Sequence, residues 1–225
     1  MIRRTAISVC NALPRVMVTG GLGQIGTDLS LMLLSRFGVN SVLVCDVVEP
    51  SPDHPLAGKV FEKLDCLDRT AFETLVRKFR PDWLYHLPAI MSVRGEAEPE
   101  LALSVNTGTI LHALNLSSAY NVRVCIPSTI AVFGDKSGTD MVADDTVLNP
   151  STLYGVTKLY MEQLGTWWAR KYGVDFRTVR LPGIVAPSLP GGGTTDYVIH
   201  MYHCAVVGKK YTCPLLPDER CLCYT

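Results

Sequence analysis

The run Val16-Met17-Val18-Thr19-Gly20-Gly21-Leu22-Gly23-Gln24-Ile25-Gly26 constrains this chain more than any other feature. An apolar strand that feeds glycines at 20, 23 and 26 builds a turn in which backbone can touch a phosphate. Gly20 permits the tight turn, Gly23 removes the side chain where a pyrophosphate must approach, and Gly26 lets the following helix press on the sheet with its N-terminal amides aimed at the anion. Glycines alone would also suit a flexible loop between strand and helix. Their context argues for the ligand turn. Leu29, Leu33 and Leu34 give the next segment a helical apolar face, and Ser41-Val42-Leu43-Val44-Cys45 reads as a second strand ending in Asp46. Asp46 lies 20 residues past Gly26. From there a carboxylate accepts hydrogen bonds from adenosine ribose hydroxyls and repels a 2′-phosphate, so the pattern predicts a dinucleotide site that prefers NAD to NADP.

Apolar strand candidates recur at 15–19, 41–46, 59–63, 82–87, 122–127 and 175–180, with helix candidates at 24–37, 68–79, 100–119 and 151–172 between them. Alternation of this kind predicts an α/β fold, a Rossmann-type doubly wound parallel sheet covered on both faces. At 225 residues and 48% hydrophobic, the chain has ample core for one such domain at 15–180 and for part of a second region at 181–225. Pro182, Pro187, Pro190 and Gly191-Gly192-Gly193 open that second region, and a short apolar helix from about Asp196 to Val207 follows.

Lys plus Arg and Asp plus Glu are each 21, so no basic field predicts a nucleic-acid partner. No apolar run approaches the length that spans a bilayer, and no membrane partner is expected. The eight cysteines include no CxxC, only a lone CxC at Cys221 and Cys223, so no zinc site is expected. Cys45 and Cys125 sit inside apolar strands, which suits free thiols in a reducing compartment. His200 and His203 read as helix-surface residues rather than metal ligands. Residues 1–14, with Arg3, Arg4, Thr5 and Ser8 and no carboxylate, resemble a short mitochondrial presequence; an untargeted, cytoplasmic N-terminus is the alternative.

Tyr154-Gly155-Val156-Thr157-Lys158 places a phenol and an ammonium four residues apart on one helix face. A lysine beside a tyrosine favours phenolate, lowering the phenol's pKa toward a range where it takes a proton from an alcohol. Ser128-Thr129, directly after the strand Val122 to Pro127, supplies hydroxyls to hold a substrate oxygen, or else closes the strand as a turn.

Together the glycine loop, Asp46, Asp65, Asn106, Ser128-Thr129 and Tyr154-xxx-Lys158 resemble the extended short-chain dehydrogenase/reductase superfamily over almost the whole chain. The resemblance implies that Thr129 takes the catalytic hydroxyl position, with Ser128 one place before it, and that Asn106 supports Lys158 through a water. It places Gly20, Gly23, Gln24, Ile25, Gly26 and Ile184 at the cofactor, Asp65 near the adenine, and Leu87-Pro88-Ala89 along the ribose. Pro88 stands where small residues are more usual and stiffens that loop. Ser92-Val93-Arg94-Gly95-Glu96 and the stretch from Leu181 through Gly191-Gly192-Gly193-Thr194-Thr195-Asp196-Tyr197 are similar to the short-chain type of L-threonine 3-dehydrogenases. That similarity implies an amino-acid pocket shaped by Gly193, Thr194 and Asp196, with Ser92 nearby. It also implies NAD-dependent oxidation of L-threonine to 2-amino-3-ketobutyrate, with Tyr154 as proton acceptor and Thr129 holding the oxygen. A homodimer through the two helices that flank the sheet is implied as well. The alternatives are an inactive NAD-binding remnant and a nucleotide-sugar epimerase.

Members of the resembled family continue beyond this length, so an incomplete substrate-binding region is expected, with weak or absent threonine oxidation. Codons for Arg220-Cys221-Leu222-Cys223-Tyr224-Thr225, read one base earlier from the last base of the arginine codon, can encode Leu-Pro-Met-Leu-Tyr, which suggests a frameshift; a deliberately shortened chain or a genuine alternative end is the other reading.

Overall fold

The runs Val16–Thr19 (β1) and Val42–Asp46 (β2) carry no polar alternation, as strands covered on both faces require, and all of their residues but Asp46 are buried. A computed structural model of the chain describes residues 13–138, 142–143, 145–187, 191–216 and 223–224. In it β1 and β2 join Phe61–Lys63 (β3), Trp83–His86 (β4), Arg123–Cys125 (β5) and, later in the chain, Phe176–Arg177 in one parallel sheet. The register is tight at the centre: Val16 pairs with Val42 on one side and with Trp83 on the other.

Helices fill the crossovers. Gln24–Phe37 (α1) covers one face and buries Leu33 against Val16, Val18, Val42 and Val44. Arg69–Phe79 (α2) begins where Asp68 caps it, its carboxylate accepting the Ala71 amide at 2.9 Å. Its Phe72 lies in the second core with Met17, Leu84, Leu114, Ile126 and Met161. Burying a side chain of that size is worth about 2–3 kcal/mol.

The helix expected over 100–119 forms over 99–120, with a π turn inside it and a separate short helix ahead of it. Ser92–Ala97 (α3) ends at Glu98, Pro99–Leu103 (α4) restarts with proline at its first position, Ser104–Gly108 form a π turn, and Thr109–Tyr120 (α5) completes the run. Proline has no amide hydrogen to continue a helix but suits a first turn, which explains the break at 99. The strand expected over 122–127 stops at Cys125 ahead of Pro127, and a separate short strand, Ser128–Thr129 (β6), follows. Leu153–Tyr172 (α6) packs on the α5 side, capped by Thr152. The strand expected over 175–180 is likewise split. Phe176–Arg177 (β7) closes the sheet beside β5, while Arg180–Leu181 (β8) pairs in parallel with β6. Gly183–Ile184 (β9), Tyr197–Val206 (α7) and Cys223–Tyr224 (β10) complete the described elements, with β9 beside β10.

The sheet order β3-β2-β1-β4-β5-β7 reverses direction between β1 and β4. Ligands of open α/β sheets bind beyond the strand C-termini at such a switch point. The glycine loop leaves β1 there, and Leu87 leaves β4 beside it. No helix among the described residues is long and apolar enough to cross a membrane. The presequence-like residues 1–12, Pro190 and residues 217–222 lie outside the described residues.

Candidate active site

Gly20 holds φ +67°, and a Cβ there would come within 2.9 Å of the Pro88 nitrogen. Gly26 lies against Gly20 and Gly21, its added Cβ 2.8 Å from the Gly21 Cα, so the first and last glycines are needed for packing alone. Gly23 differs: a Cβ would find only the Gly20 carbonyl, at 3.5 Å. It stands at the N-cap of α1 and offers no side-chain cap to the first-turn amides. The cradle is one that a side chain would fill and that an anion fits. Gly21, which the sequence reading left without a role, is also pressed, against the Val44 side chain.

Asp46 closes the loop from the β2 side. One carboxylate oxygen accepts the Leu22 amide at 3.0 Å and the other its neighbour Val47's at 2.8 Å. Asp65 is exposed and accepts the Leu67 amide at 2.9 Å, forming the turn into α2. Gln24 donates to the Ile184 carbonyl at 3.1 Å, bringing these two distant residues together, while Ile25 lies half-exposed on the first turn. Leu87 donates to the Thr19 carbonyl at 3.0 Å, and Leu87, Pro88 and Ala89 run partly buried along the switch point.

The inner face of α6 presents Tyr154, Lys158 and Glu162 at successive four-residue steps, all buried. The Thr129 hydroxyl accepts the Ala131 amide at 3.1 Å and lies near enough to Tyr154 to favour its ionised form. Lys158 donates to the Pro127 carbonyl at 2.8 Å and stands 5.7 Å from the centre of the Tyr154 ring. The expected lowering of the phenol's pKa by the lysine is not what this arrangement gives. Burial pushes Tyr154 up to about 12, and the hydrogen bond from Thr129 is what works in the opposite direction. Burial also draws Lys158 down to about 8, so near neutral pH it keeps its proton, with the cation directed at a carbonyl.

Ser128 departs from its expected catalytic place. Its hydroxyl donates to Glu162 at 2.5 Å, and Glu162 also receives Arg180 through Nε at 2.9 Å and Nη2 at 2.8 Å. Burial works to raise the Glu162 carboxyl, but the hydrogen bonds from Arg180 and Ser128, with the guanidinium charge, hold it below the usual carboxylate range. Of the pair, Thr129 alone acts on the Tyr154 phenol.

Asn106 sits in the π turn, a distortion common at functional sites. Its side-chain oxygen accepts the Ile90 amide at 2.7 Å, and its nitrogen donates to the Ile90 carbonyl at 3.0 Å and to Thr157 at 3.2 Å. It thus grips the chain after Ala89 and the neighbour of Lys158.

The two stretches singled out in the second half of the reading come together. Val93 donates to the Gly192 carbonyl at 3.0 Å, and the Ser92 hydroxyl accepts the Thr194 amide at 3.3 Å. Asp196 accepts the Gly192 and Gly193 amides at 2.7 and 2.9 Å, so one carboxylate oxygen is committed to shaping its own loop. Gly193 is held between Asp196 and Met91.

Glu162, Arg180, Thr157 and His86 escaped the sequence reading. His86 is fully buried between Thr19, at 2.9 Å from Nδ1, and Thr109, at 3.0 Å from Nε2. Thr109 donates to the Val105 carbonyl, so it accepts from Nε2–H and leaves Nδ1 to accept from Thr19. Burial, with the charges of Lys158 and His112, takes His86 down to about 3. The only available signal for Glu162 was its spacing on the Tyr154 and Lys158 stripe. Among the described residues no group of three His, Cys, Asp or Glu side chains could hold a metal ion.

The chain is 40% identical over 207 residues to the bovine (Bos taurus) protein named L-threonine 3-dehydrogenase, mitochondrial, covering 92% of this chain and 55% of that one. Its fold superposes with a TM-score of 0.88 on L-threonine 3-dehydrogenase from Trypanosoma brucei, at 66% identity, covering 91% of this chain and 64% of that one. UDP-glucose 4-epimerase from Thermus thermophilus, solved with NAD, gives a TM-score of 0.78 at 25% identity, covering 88% of this chain and 64% of that one. The chain thus spans between half and two thirds of the length of these relatives. The NAD dependent epimerase/dehydratase family matches residues 16–220, and this chain belongs to it.

Proposed function

We propose that this chain carries the NAD-binding and proton-transfer residues of an L-threonine 3-dehydrogenase. The observation that carries the reading is the Tyr154–Thr129 hydroxyl pair beside Lys158 at the switch point, next to the glycine loop and Asp46. Gly20, Gly23 and Gly26 with the first turn of α1 would hold the pyrophosphate, Asp46 the adenosine ribose, and Leu87, Ala89 and Lys158 the second ribose. NAD, when bound, supplies the acceptor for the hydride leaving C3 of threonine. Thr129 holds the C3 oxygen, and ionised Tyr154 takes its proton, leaving a ketone. With burial holding the phenol near 12, the Thr129 hydroxyl is the group that favours its ionised form. The loop 191–196, tied to Ser92 and Val93, forms the wall for the amino acid, with Thr194 and Gly193 nearest it.

Tyr154→Phe tests the reading: threonine-dependent NADH formation falls at least about a hundredfold while NAD affinity stays within about twofold. Retained activity would place the proton acceptor elsewhere. Asp46 favours NAD over NADP by repelling a 2′-phosphate; equal affinities in a fluorescence titration would remove it from that role.

A nucleotide-sugar epimerase is the second reading, supported by the family and by the 25% identical neighbour. The 66% identity to a threonine dehydrogenase weighs against it, and turnover of UDP-glucose in place of threonine would reverse that preference. We also assign the protein to mitochondria, on Arg3, Arg4 and Arg15 and the mitochondrial names of its mammalian relatives. A homodimer would seat Leu111 of α5 and Val156, Tyr160 and Trp167 of α6, all exposed, against a second copy. Organelle fractionation and sedimentation velocity check these two points.

A further inference from the structure

Three elements that carry the site meet at one carboxylate. Glu162 lies on α6, eight residues past Tyr154 and four past Lys158, and is 7% exposed. It accepts Ser128 from β6 at 2.5 Å and a two-pronged contact from Arg180 on β8 at 2.9 and 2.8 Å. Ser128 and Arg180 are partners in the β6–β8 pairing, and the Ser128 amide donates to the Val179 carbonyl at 2.8 Å. The Arg180 guanidinium also covers the Phe133 ring at 5.1 Å. A fork of this kind fixes direction as well as distance.

The consequence falls on the neighbour. Ser128 and Thr129 are consecutive in a two-residue strand, so a fixed direction for the first side chain fixes that of the second. Thr129 is the hydroxyl that favours ionisation of Tyr154, and a misplacement of about 1 Å there is enough to cost two orders of magnitude in rate. We propose that Glu162 is a positioning residue: through Ser128 and Arg180 it registers β6 against α6 so that Thr129 meets Tyr154 in the orientation that proton transfer requires. This deepens the dehydrogenase reading and rests on it for its kinetic consequences.

The test uses Glu162→Gln, which keeps the shape but sets an amide donor against the guanidinium, and Ser128→Ala, which leaves the Glu162–Arg180 fork in place. For Glu162→Gln, kcat falls about tenfold to a hundredfold with threonine KM and NAD affinity within about twofold. Ser128→Ala shows the same selective loss in smaller form, about threefold, whereas Thr129→Ala loses at least about a hundredfold. An unchanged kcat in Glu162→Gln, or loss of both affinities in step with kcat, overturns the proposal. So does a Ser128→Ala loss as large as that of Thr129→Ala, which would make Ser128 itself catalytic.

Should Glu162→Gln fail to fold, Ser128→Ala decides by the same criteria. A second readout needs no turnover. With methyl-labelled threonine, Tyr154→Phe moves the Thr129 methyl resonance, and the Glu162→Gln or Ser128→Ala background diminishes that response. A full response in both backgrounds overturns the positioning role. Where the parent chain, which spans only part of its relatives' length, does not oxidise threonine, the resonance alone decides the role of Glu162.

Discussion

Three glycines in one loop fail in different ways when given a methyl group. At Gly20 an added Cβ is strained by φ +67° and meets the Pro88 nitrogen at 2.9 Å. The left-handed backbone alone costs about 1–2 kcal/mol, so Gly20→Ala lowers the urea midpoint. Gly23 has space for a Cβ, and its conformation is ordinary at φ −69°. Gly23→Ala therefore keeps the urea midpoint of the parent while NAD affinity drops about tenfold or more, equivalent to about 1.4 kcal/mol. Equal affinity in that variant would show that the anion sits elsewhere. The first and third glycines are required by the space around them, and the middle one is not. A spacing pattern shows all three alike, because it carries no information on what a Cβ would touch.

At the scale of the element, α6 decides whether Tyr154 is placed at all. Thr152 caps it by accepting the Gly155 amide at 3.1 Å, and Glu96 on α3 accepts the Leu153 amide at 2.8 Å. Thr152→Ala removes the nearer cap and costs about 1 kcal/mol in equilibrium unfolding, while Thr152→Ser retains it. Identical midpoints for the two variants would mean that Glu96 alone holds the first turn. The beginning of this helix was legible to within two residues, because an apolar pattern of helical period is a local signal. The π turn at 104–108 was not. It is set by Asn106 reaching Ile90 and Thr157, partners that are distant in sequence, and helical periodicity does not register one extra residue in a turn.

The buried titratable groups set how the whole molecule responds to pH. His86 is held down to about 3 from 6.5, so between those values the unfolded chain binds a proton that the folded chain does not. Stability therefore falls with falling pH across that window, by up to ~1.4 kcal/mol per unit, and Glu162, held low, acts in the same direction. On the alkaline side Lys158, drawn from 10.5 to about 8, makes stability rise with pH between those values. Cys45 and Cys66, both raised from 9.0 and the latter to about 12, oppose it as the unfolded thiols ionise. Tyr154, raised from 10.0 to about 12, joins them. The expected optimum lies between about 6.5 and 9. Urea midpoints measured across pH check it, and a midpoint unchanged from neutral pH down to about 4 would show that His86 is not buried as neutral imidazole.

The sequence by itself determined the alternation of strand and helix, the start of α1 at Gln24, the glycine cradle, Asp46 at the end of β2, and the Tyr154–Lys158 spacing. Each is written in a local pattern, either an apolar run, a helical period of 3.6, or a motif within one connection. Only the tertiary structure decided that Ser128 turns to Glu162 while Thr129 turns to Tyr154. The same holds for Asp196 folding back onto its own loop amides, and for burial raising the Tyr154 phenol instead of the lysine lowering it. Side-chain direction and desolvation depend on what the rest of the chain packs around a residue, and a one-dimensional pattern does not contain that information.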